Sequence, residues 1–155
     1  MKTLIMLSAI PASGKSTWAK EYQANHPNTY IINSDEVWLE VTHGDYHDHT
    51  KQKEVWELFE KRIHEYGKIE DVTVILDALN DVNPVRLKYL STTPEFDKKI
   101  LVLFPNSLDK SRFYNNQRQE EVRVPDNILI GLVDKFEDPS QEVLDLVDEV
   151  REVKW

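Results

Sequence analysis

The chain has 155 residues, of which 40% are hydrophobic and 30% are charged, and its formal net charge is −9. This length and composition are typical of one globular domain with a sizeable core, so we expect a single domain over residues 1–155. The negative charge argues against a surface that coats nucleic acid broadly, although it leaves room for a local basic groove. No apolar run approaches the roughly 20 residues of a membrane span, and cysteine is absent. We therefore expect a cytoplasmic protein with no disulfides and no membrane partner.

Segments typical of strands and helices alternate along the chain. The predicted strands cover residues 4–7, 29–33, 72–76, 99–104 and 148–153, and the predicted helices cover 16–22, 34–41, 50–66, 108–120 and 125–136, with a further helix that begins at 83. Ser34 and Thr50 are the predicted caps of the second and third helices. The apolar strands predict a parallel sheet of four to five strands with helices on both faces, which is an α/β fold.

Residues 9–17 follow the first predicted strand and have the sequence Ala-Ile-Pro-Ala-Ser-Gly-Lys-Ser-Thr. This stretch matches the phosphate-binding motif G-x-x-x-x-G-K-[ST], except that Ala9 replaces the first glycine. Gly14 allows the backbone to approach a phosphate closely, and the helix that follows directs its positive end at the same place. The replacement at Ala9 is mild if its φ is negative and costly if its φ is positive.

The motif predicts a P-loop NTPase fold and a nucleotide site. The residues of this site are Ala12, Ser13, Gly14, Lys15, Ser16 and Thr17. Lys15 is expected to contact the β- and γ-phosphates of ATP, and Ser16 is expected to bind Mg²⁺. A chance match in an ordinary strand–turn–helix is the alternative, but strand, loop and helix occur in the order that the motif requires.

Two aspartates follow predicted strands, at the edge of the sheet where ligands bind in α/β folds. Asp35 comes directly after the second strand, where it would accept a proton from an attacking hydroxyl or else only stabilise the start of a helix. Asp77 ends the third strand, which is the position of the metal-associated aspartate in P-loop enzymes. Its alternative role is to cap the next turn.

Basic residues cluster after the fourth strand. They are Lys110, Arg112, Arg118 and Arg123, with Glu120 and Glu121 as the acidic residues among them. On a helix and the turn after it, the three arginines would form a lid that binds the triphosphate and neutralises the charge that develops during transfer. A solvated basic face is the alternative, above all for the lysine.

The polar stretch between the second and third helices contains His43, His47 and His49, together with Asp45 and Asp48. Three imidazoles and two carboxylates are enough ligands for a metal ion. An ordinary polar loop is the interpretation that we favour, because only the first two histidines have a helical spacing.

The motif and several other segments together resemble the bacteriophage-type polynucleotide 5′-hydroxyl kinase family. These segments are 12–20, 30–35, 50–54, Asp77, 83–84, Arg86 and 115–125, and they occur in the same order over nearly the whole chain. The resemblance implies transfer of the γ-phosphate of ATP to a 5′-hydroxyl of RNA or DNA. It implies that Asp35 is the general base and that Arg118 is the lid arginine. Lys15 and Ser16 would hold phosphate and Mg²⁺.

The sequence departs from this family at Trp38, where the family has an arginine that contacts the substrate phosphate. An indole stacks on a base but cannot pair with a phosphate, which leaves Arg86 as a candidate for that contact. A kinase of a small metabolite or nucleoside therefore stays open, and so does a nucleotide-dependent switch without an acceptor. The sequence has no N-K-x-D motif for recognising guanine.

Overall fold

Five parallel strands form the centre of the structure, a computed structural model that describes residues 1–154. The strands are β1 Thr3–Ser8, β2 Thr29–Asn33, β3 Thr73–Asp77, β4 Lys98–Leu103 and β5 Glu149–Glu152, and their order across the sheet is β2-β3-β1-β4-β5. The helices are α1 Lys15–Asn25, α2 Ser34–Val41, α3 Gln52–Tyr66, α4 Asn83–Ser91, α5 Leu108–Asn115, α6 Asp126–Lys135 and α7 Gln141–Leu146, with a 3-10 turn at Glu120–Val122. None of the helices within residues 1–154 is both long and apolar enough to cross a membrane.

Alternate residues of the strands face opposite sides of the sheet. On β1, Leu4 and Met6 belong to a core cluster with α2, α3, α4 and α7, whereas Ile5 and Leu7 belong to a second cluster with α1. All four side chains are fully buried, and burying one such side chain stabilises a protein by roughly 1.5–3 kcal/mol. The predicted α/β fold, a parallel sheet with helices on both faces, is therefore confirmed.

The starts of two helices differ from the capping predictions. The cap of α2 is Asn33 and not Ser34, because the Asn33 side chain accepts a backbone N–H of the first turn at 2.9 Å. Helix α3 begins at Gln52. Its N-cap position is Lys51 and no side chain caps it, and the Thr50 hydroxyl donates to the Asp48 carboxylate instead.

Two further corrections concern the last third of the chain. Helix α5 ends at Asn115 and not near Glu120, because the Asn115 side chain pairs with the backbone N and O of Val124 at 3.0 and 2.8 Å. These bonds close the intervening loop. The prediction from sequence lacks helix α7, although Ser140 caps this helix by accepting from Val143 N at 3.3 Å.

The parallel arrangement brings four chain segments to the carboxyl edge of the sheet. The phosphate-binding loop follows β1, and Asp77 ends β3, which is the neighbour of β1 in the sheet. Asp35 follows β2 on the far side of β3, and Pro105 follows β4 on the other side of β1. Residues that are far apart in sequence are therefore close enough to form one site.

Candidate nucleotide and acceptor site

The phosphate-binding loop turns sharply between β1 and α1. Ala12 and Gly14 have positive φ values of 56° and 87°, whereas Ala9 does not have a positive φ. The replacement of glycine by Ala9 is therefore mild, and the left-handed position that a side chain tolerates poorly is Ala12 instead. Ala9 N donates to Leu79 O at 2.8 Å, which ties the start of the loop to the segment after β3.

The start of α1 makes the loop suitable for anions. The helix begins at Lys15, so its first backbone N–H groups have no acceptor within the helix. The positive end of the helix dipole lies at the same place. We call α5 and the turn after it, residues 108–124, the lid segment, and Ser111 of α5 donates to Pro11 O, which holds this segment against the loop. Phosphate groups are the ligands that such a loop binds.

Asp77 is the buried centre of the site. Ser16 Oγ donates to Asp77 Oδ2 at 2.9 Å, and Asn33 Nδ2 donates to the same oxygen at 2.8 Å. Lys15 Nζ lies 3.6 Å from Asp77 Oδ1. Asp77 is only 2% exposed, and a carboxylate this buried requires a nearby cation and donors to remain charged. Asn33 is a member of this cluster that the sequence did not indicate.

The residues around Asp77 fit Mg²⁺. Ser16 Oγ and the carboxylate of Asp77 are hard oxygen ligands of the kind that Mg²⁺ takes. Asp77 Oδ1 is buried and accepts no hydrogen bond from any residue in 1–154, so it has lone pairs to offer. The remaining ligands would be water and phosphate oxygens.

Within the described part of the chain, no group of three or more His, Cys, Asp or Glu side chains is arranged to hold a metal ion by itself. The loop with His43, His47 and His49 therefore forms no such cluster. Instead, His47 and His49 line a cavity beside Asp35.

A cavity of about 490 Å³, which we call the nucleotide cavity, opens over the phosphate-binding loop. It is lined by all six residues of 12–17, by Trp18 of α1, by Phe104 after β4, and by Tyr114 and Arg118 of the lid segment. Aromatic walls beside an anion-binding loop suit a nucleotide, since its base is flat and its phosphates are charged.

A second cavity, of about 620 Å³, adjoins the first, and we call it the acceptor cavity. Lys15 and Arg118 line both cavities and so mark the boundary between them. Asp35 and Arg123 line the acceptor cavity. Two positive charges at the boundary and a carboxylate beyond it are the groups that a phosphoryl transfer to a hydroxyl requires.

Tyr46 also lines the acceptor cavity, although the sequence did not indicate it. Burial is the main cause that raises the pKa of Tyr46, the negative charge of Asp35 raises it further, and the positive charge of Arg118 lowers it. Both charged groups therefore lie within electrostatic range of the phenol. Tyr46 stays protonated at neutral pH and is a hydrogen-bond donor beside the candidate base.

The three arginines of the predicted lid have different surroundings. Arg118 lines both cavities, and Arg123 lines the acceptor cavity while its Nε donates to Arg118 O at 2.7 Å. Arg112 lines neither, because its guanidinium donates to the carboxylate of Asp126 at 2.9 and 3.1 Å. These hydrogen bonds raise the pKa of Arg112 and lower the pKa of Asp126. Arg112 therefore joins α5 to α6, and its nucleotide contact stays a prediction.

The prediction that Arg86 contacts the substrate is wrong. The residue is fully buried in α4, and its guanidinium donates to Ser8 Oγ, Asn80 O, Asn83 Oδ1 and Glu137 O. Burial is the main reason that the pKa of Arg86 is lowered. The four acceptors come from the end of β1, the segment after β3, the start of α4 and the segment after α6. Arg86 therefore braces the structure around the site without being accessible to a ligand.

Trp38 is half-buried in α2, one helical turn after Asp35. Both residues line a groove of about 540 Å³ between α2, α3, α4 and α6, which we call the base groove. Asp35 is shared between this groove and the acceptor cavity. Trp56 of α3 also lines the groove, and no sequence motif indicates it. The role of Trp38 as a substrate residue stays a prediction.

Comparison with known proteins places the chain among P-loop proteins. A model of the family described as chromatin associated protein KTI12 matches residues 2–144. Among solved structures, Kti12 from Chaetomium thermophilum in complex with ADP-AlF3 has a TM-score of 0.70 and 16% sequence identity, over 98% of this chain and 89% of that chain.

Two kinases have similar structures. A fungal RNA kinase has a TM-score of 0.71 and 17% identity, over 99% of this chain and 74% of that chain. Shikimate kinase from Bacteroides thetaiotaomicron has a TM-score of 0.53 and 15% identity, over 97% of this chain and 84% of that chain. At such identities the likeness shows the fold, which is that of P-loop kinases. The predicted P-loop fold is confirmed, whereas the resemblance to polynucleotide kinases stays a prediction beyond the fold.

Proposed function

The chain belongs to the KTI12 family, and from this premise we propose that it is an ATP-dependent kinase that phosphorylates a hydroxyl group. The favoured acceptor is the 5′-hydroxyl end of RNA or DNA. The observation that supports this most strongly is that Lys15 and Arg118 line both the nucleotide cavity and the acceptor cavity. Asp35 lies on the acceptor side of that boundary. A phosphate donor and a hydroxyl acceptor would therefore meet between two cations and a carboxylate.

ATP is assigned to the nucleotide cavity. The backbone N–H groups of the loop and Lys15 would hold its β- and γ-phosphates, and Trp18 and Tyr114 would flank its base. Ser16 and Asp77 would hold Mg²⁺, which supplies charge neutralisation for the triphosphate. The similar Kti12 structure with ADP-AlF3 supports nucleotide binding by this fold.

The proposed step moves one phosphoryl group. The acceptor oxygen attacks the γ-phosphorus, and the new O–P bond forms as the bond to the bridging oxygen breaks and its electron pair leaves with ADP. Asp35 takes the proton of the hydroxyl. Lys15, which lies 3.6 Å from Asp77, would turn to the γ-phosphate. Arg118 would offset the charge on the transferred group.

A small molecule with a hydroxyl group is the second candidate acceptor. The net charge of −9 favours it, since long nucleic acids are repelled by acidic surfaces. The acceptor cavity of about 620 Å³ is also of a size that suits a metabolite. The likeness to the shikimate kinase structure is compatible with either acceptor.

The test is a panel of acceptors incubated with γ-labelled ATP. The panel contains RNA and DNA oligonucleotides with a 5′-hydroxyl, the same oligonucleotides with a 5′-phosphate as controls, nucleosides and sugars. We expect label on the 5′-hydroxyl oligonucleotides and none on the controls. Label on a nucleoside or sugar alone would favour the second candidate. Release of label only as inorganic phosphate would contradict both and favour a switch without an acceptor.

A further inference from the structure

The base groove begins where the acceptor cavity ends. The two spaces share Ser34, Asp35, Leu79 and Leu132. A molecule whose hydroxyl lies against Asp35 can therefore extend into the acceptor cavity or into the groove. Since the γ-phosphate would occupy the side of the acceptor cavity next to Lys15, the groove offers the body of the acceptor a space away from the phosphate.

The groove has two indole walls. Trp56 is 37% exposed, although it lies on α3 next to the buried Val55. The centroid of its ring lies 5.3 Å from that of Phe59, in an edge-on arrangement. Trp38 stands on the opposing helix α2, and its buried Nε1 donates to no acceptor within residues 1–154. An indole left partly in water has a flat apolar face available for stacking. A buried donor without an acceptor among the described residues is available to a ligand.

The charges around the groove distinguish between possible ligands. Lys88 and Lys135 are exposed at its edge, on a chain whose net charge is −9. Lys88 Nζ lies 3.7 Å from a Glu60 carboxylate, whereas Lys135 makes no ion pair with any described residue. Asp35 and Asp81 are the acidic groups that line the groove. Flat walls with lysines at the edge favour an aromatic ring joined to an anion over a neutral polyol, which would need many hydrogen-bond partners.

We propose that the base groove binds the nucleobase of the nucleotide whose 5′-hydroxyl faces Asp35, with the ring stacked against Trp56 and Trp38. In a nucleotide the base is attached to the same ribose that carries the 5′-hydroxyl, so one residue of a nucleic acid spans the acceptor cavity and the groove. This inference rests on the proposed function. It adds that the terminal base, and not only the hydroxyl, is recognised.

The experiment compares two 5′-hydroxyl oligonucleotides that differ only in their terminal nucleotide, which is either adenosine or an abasic ribose. The wild-type protein should phosphorylate the intact oligonucleotide with a kcat/KM about 5- to 100-fold higher, which is the range expected for stacking of one base. Trp56→Ala should reduce kcat/KM for the intact oligonucleotide to near the abasic level. It should change kcat/KM for the abasic oligonucleotide little.

Two variants serve as controls. Phe113→Ala removes an aromatic ring that is 62% exposed on α5 and lines none of the three spaces, so it should leave the preference for the intact oligonucleotide unchanged. Trp56→Phe keeps a flat ring and should keep most of the preference. Melting temperatures of all variants separate a loss of folding from a loss of base recognition. Equal kcat/KM values for both oligonucleotides with the wild-type protein, or an equal loss for both with Trp56→Ala, would overturn the inference.

Binding of the same two oligonucleotides, with a label at their 3′ ends, is measured by fluorescence anisotropy in the presence of a non-hydrolysable ATP analogue. Tighter binding of the intact oligonucleotide that depends on Trp56 supports the groove. If the intact oligonucleotide binds more tightly but receives no phosphoryl group from ATP, the proposed kinase function is contradicted and the proposed base site is supported. Equal binding of the two oligonucleotides contradicts the base site, whether or not transfer occurs.

Discussion

The nucleotide half and the acceptor half of the site are built in different ways. The nucleotide half comes mainly from one continuous stretch, residues 12–17, and is fixed by the buried Asp77 with its partners Ser16 and Asn33. The acceptor half comes from separate loops and helices, among them those of Asp35, Tyr46 and the part of the lid segment that follows α5.

This difference has a consequence for function. Buried, hydrogen-bonded groups hold one geometry, as phosphate binding and Mg²⁺ require, whereas exposed loops adjust to the ligand. Asp35 and Arg123 are exposed and Tyr46 and Arg118 are half-buried. We therefore expect substitutions in the nucleotide half to abolish activity with every acceptor. Substitutions in the acceptor half should change the rate and the choice of acceptor while ATP still binds.

The largest effect is expected for Lys15→Ala. The loop loses its cation, and the buried Asp77 loses the ammonium group that lies 3.6 Å from it. ATP binding should weaken and transfer should fall by about 10³-fold or more, since the lysine acts on both bound phosphates and developing charge. Calorimetric titration with ATP and a transfer assay measure the two effects. Lys53→Ala, at an exposed lysine of α3, should match the wild type. Normal turnover of the Lys15 variant would contradict the assignment of the loop.

Arg118→Ala should affect the transfer step much more than the binding of ATP. Arg118 stands at the boundary between the two halves of the site, so its loss should lower kcat by roughly 10- to 100-fold and change the affinity for ATP much less. The matched control is Arg112→Ala, on the same lid but paired with Asp126. That pair is exposed and contributes little to stability, so this control should have near-normal transfer. A normal kcat for Arg118→Ala together with a large loss for Arg112→Ala would contradict the roles that we assign to these two arginines.

Tyr46→Phe should have the smallest effect of the three. It removes one hydrogen-bond donor from the acceptor cavity, which corresponds to a loss of roughly 2- to 10-fold in kcat/KM. The pKa of Tyr46 is raised from its ordinary value, chiefly by burial, so the phenol stays protonated at neutral and mildly alkaline pH. The ratio of wild-type to variant activity should therefore be constant from pH 6 to 9 and fall only at higher pH. A ratio that changes between pH 6 and 9 would show that another group is responsible.

The contrast between the halves also explains what could be predicted from the sequence. The sequence predicted the loop and Ser16 because the motif is local and has the strand–loop–helix context. It predicted Asp77 because this residue ends an apolar strand at the edge of the sheet where ligands bind. The parallel sheet was found because its apolar strands alternate with helices. The sequence also predicted that alanine in place of glycine at Ala9 is mild if its φ is negative. The structure decides this point, because the left-handed positions of the loop are Ala12 and Gly14 and not Ala9.

The remaining residues depend on contacts between distant segments. Arg86 has the sequence context of a helix arginine, yet Ser8 and Glu137, which lie 78 and 51 residues away, bury it. Arg112 pairs with Asp126, whereas Arg118 lines both cavities, and the sequence does not indicate this difference. Nothing local distinguishes Tyr46 in its polar loop, or Trp56 on its helix, from an ordinary surface residue. The roles of such residues can be inferred only from the three-dimensional structure.

Asp35 provides the most direct test of the central claim, which is that the carboxylate at the end of β2 activates a hydroxyl for attack on ATP. Single-turnover transfer from γ-labelled ATP to a 5′-hydroxyl oligonucleotide is measured for the wild type and for Asp35→Asn, with Glu36→Gln as the neighbouring control. The account predicts label at the 5′ end with the wild type and the control. It predicts that Asp35→Asn lowers the rate by about 10²-fold or more, leaves ATP binding unchanged, and lowers the stability by less than ~1 kcal/mol. Equal rates for the wild type and Asp35→Asn would contradict the claim, as would a wild type that passes the phosphoryl group only to water.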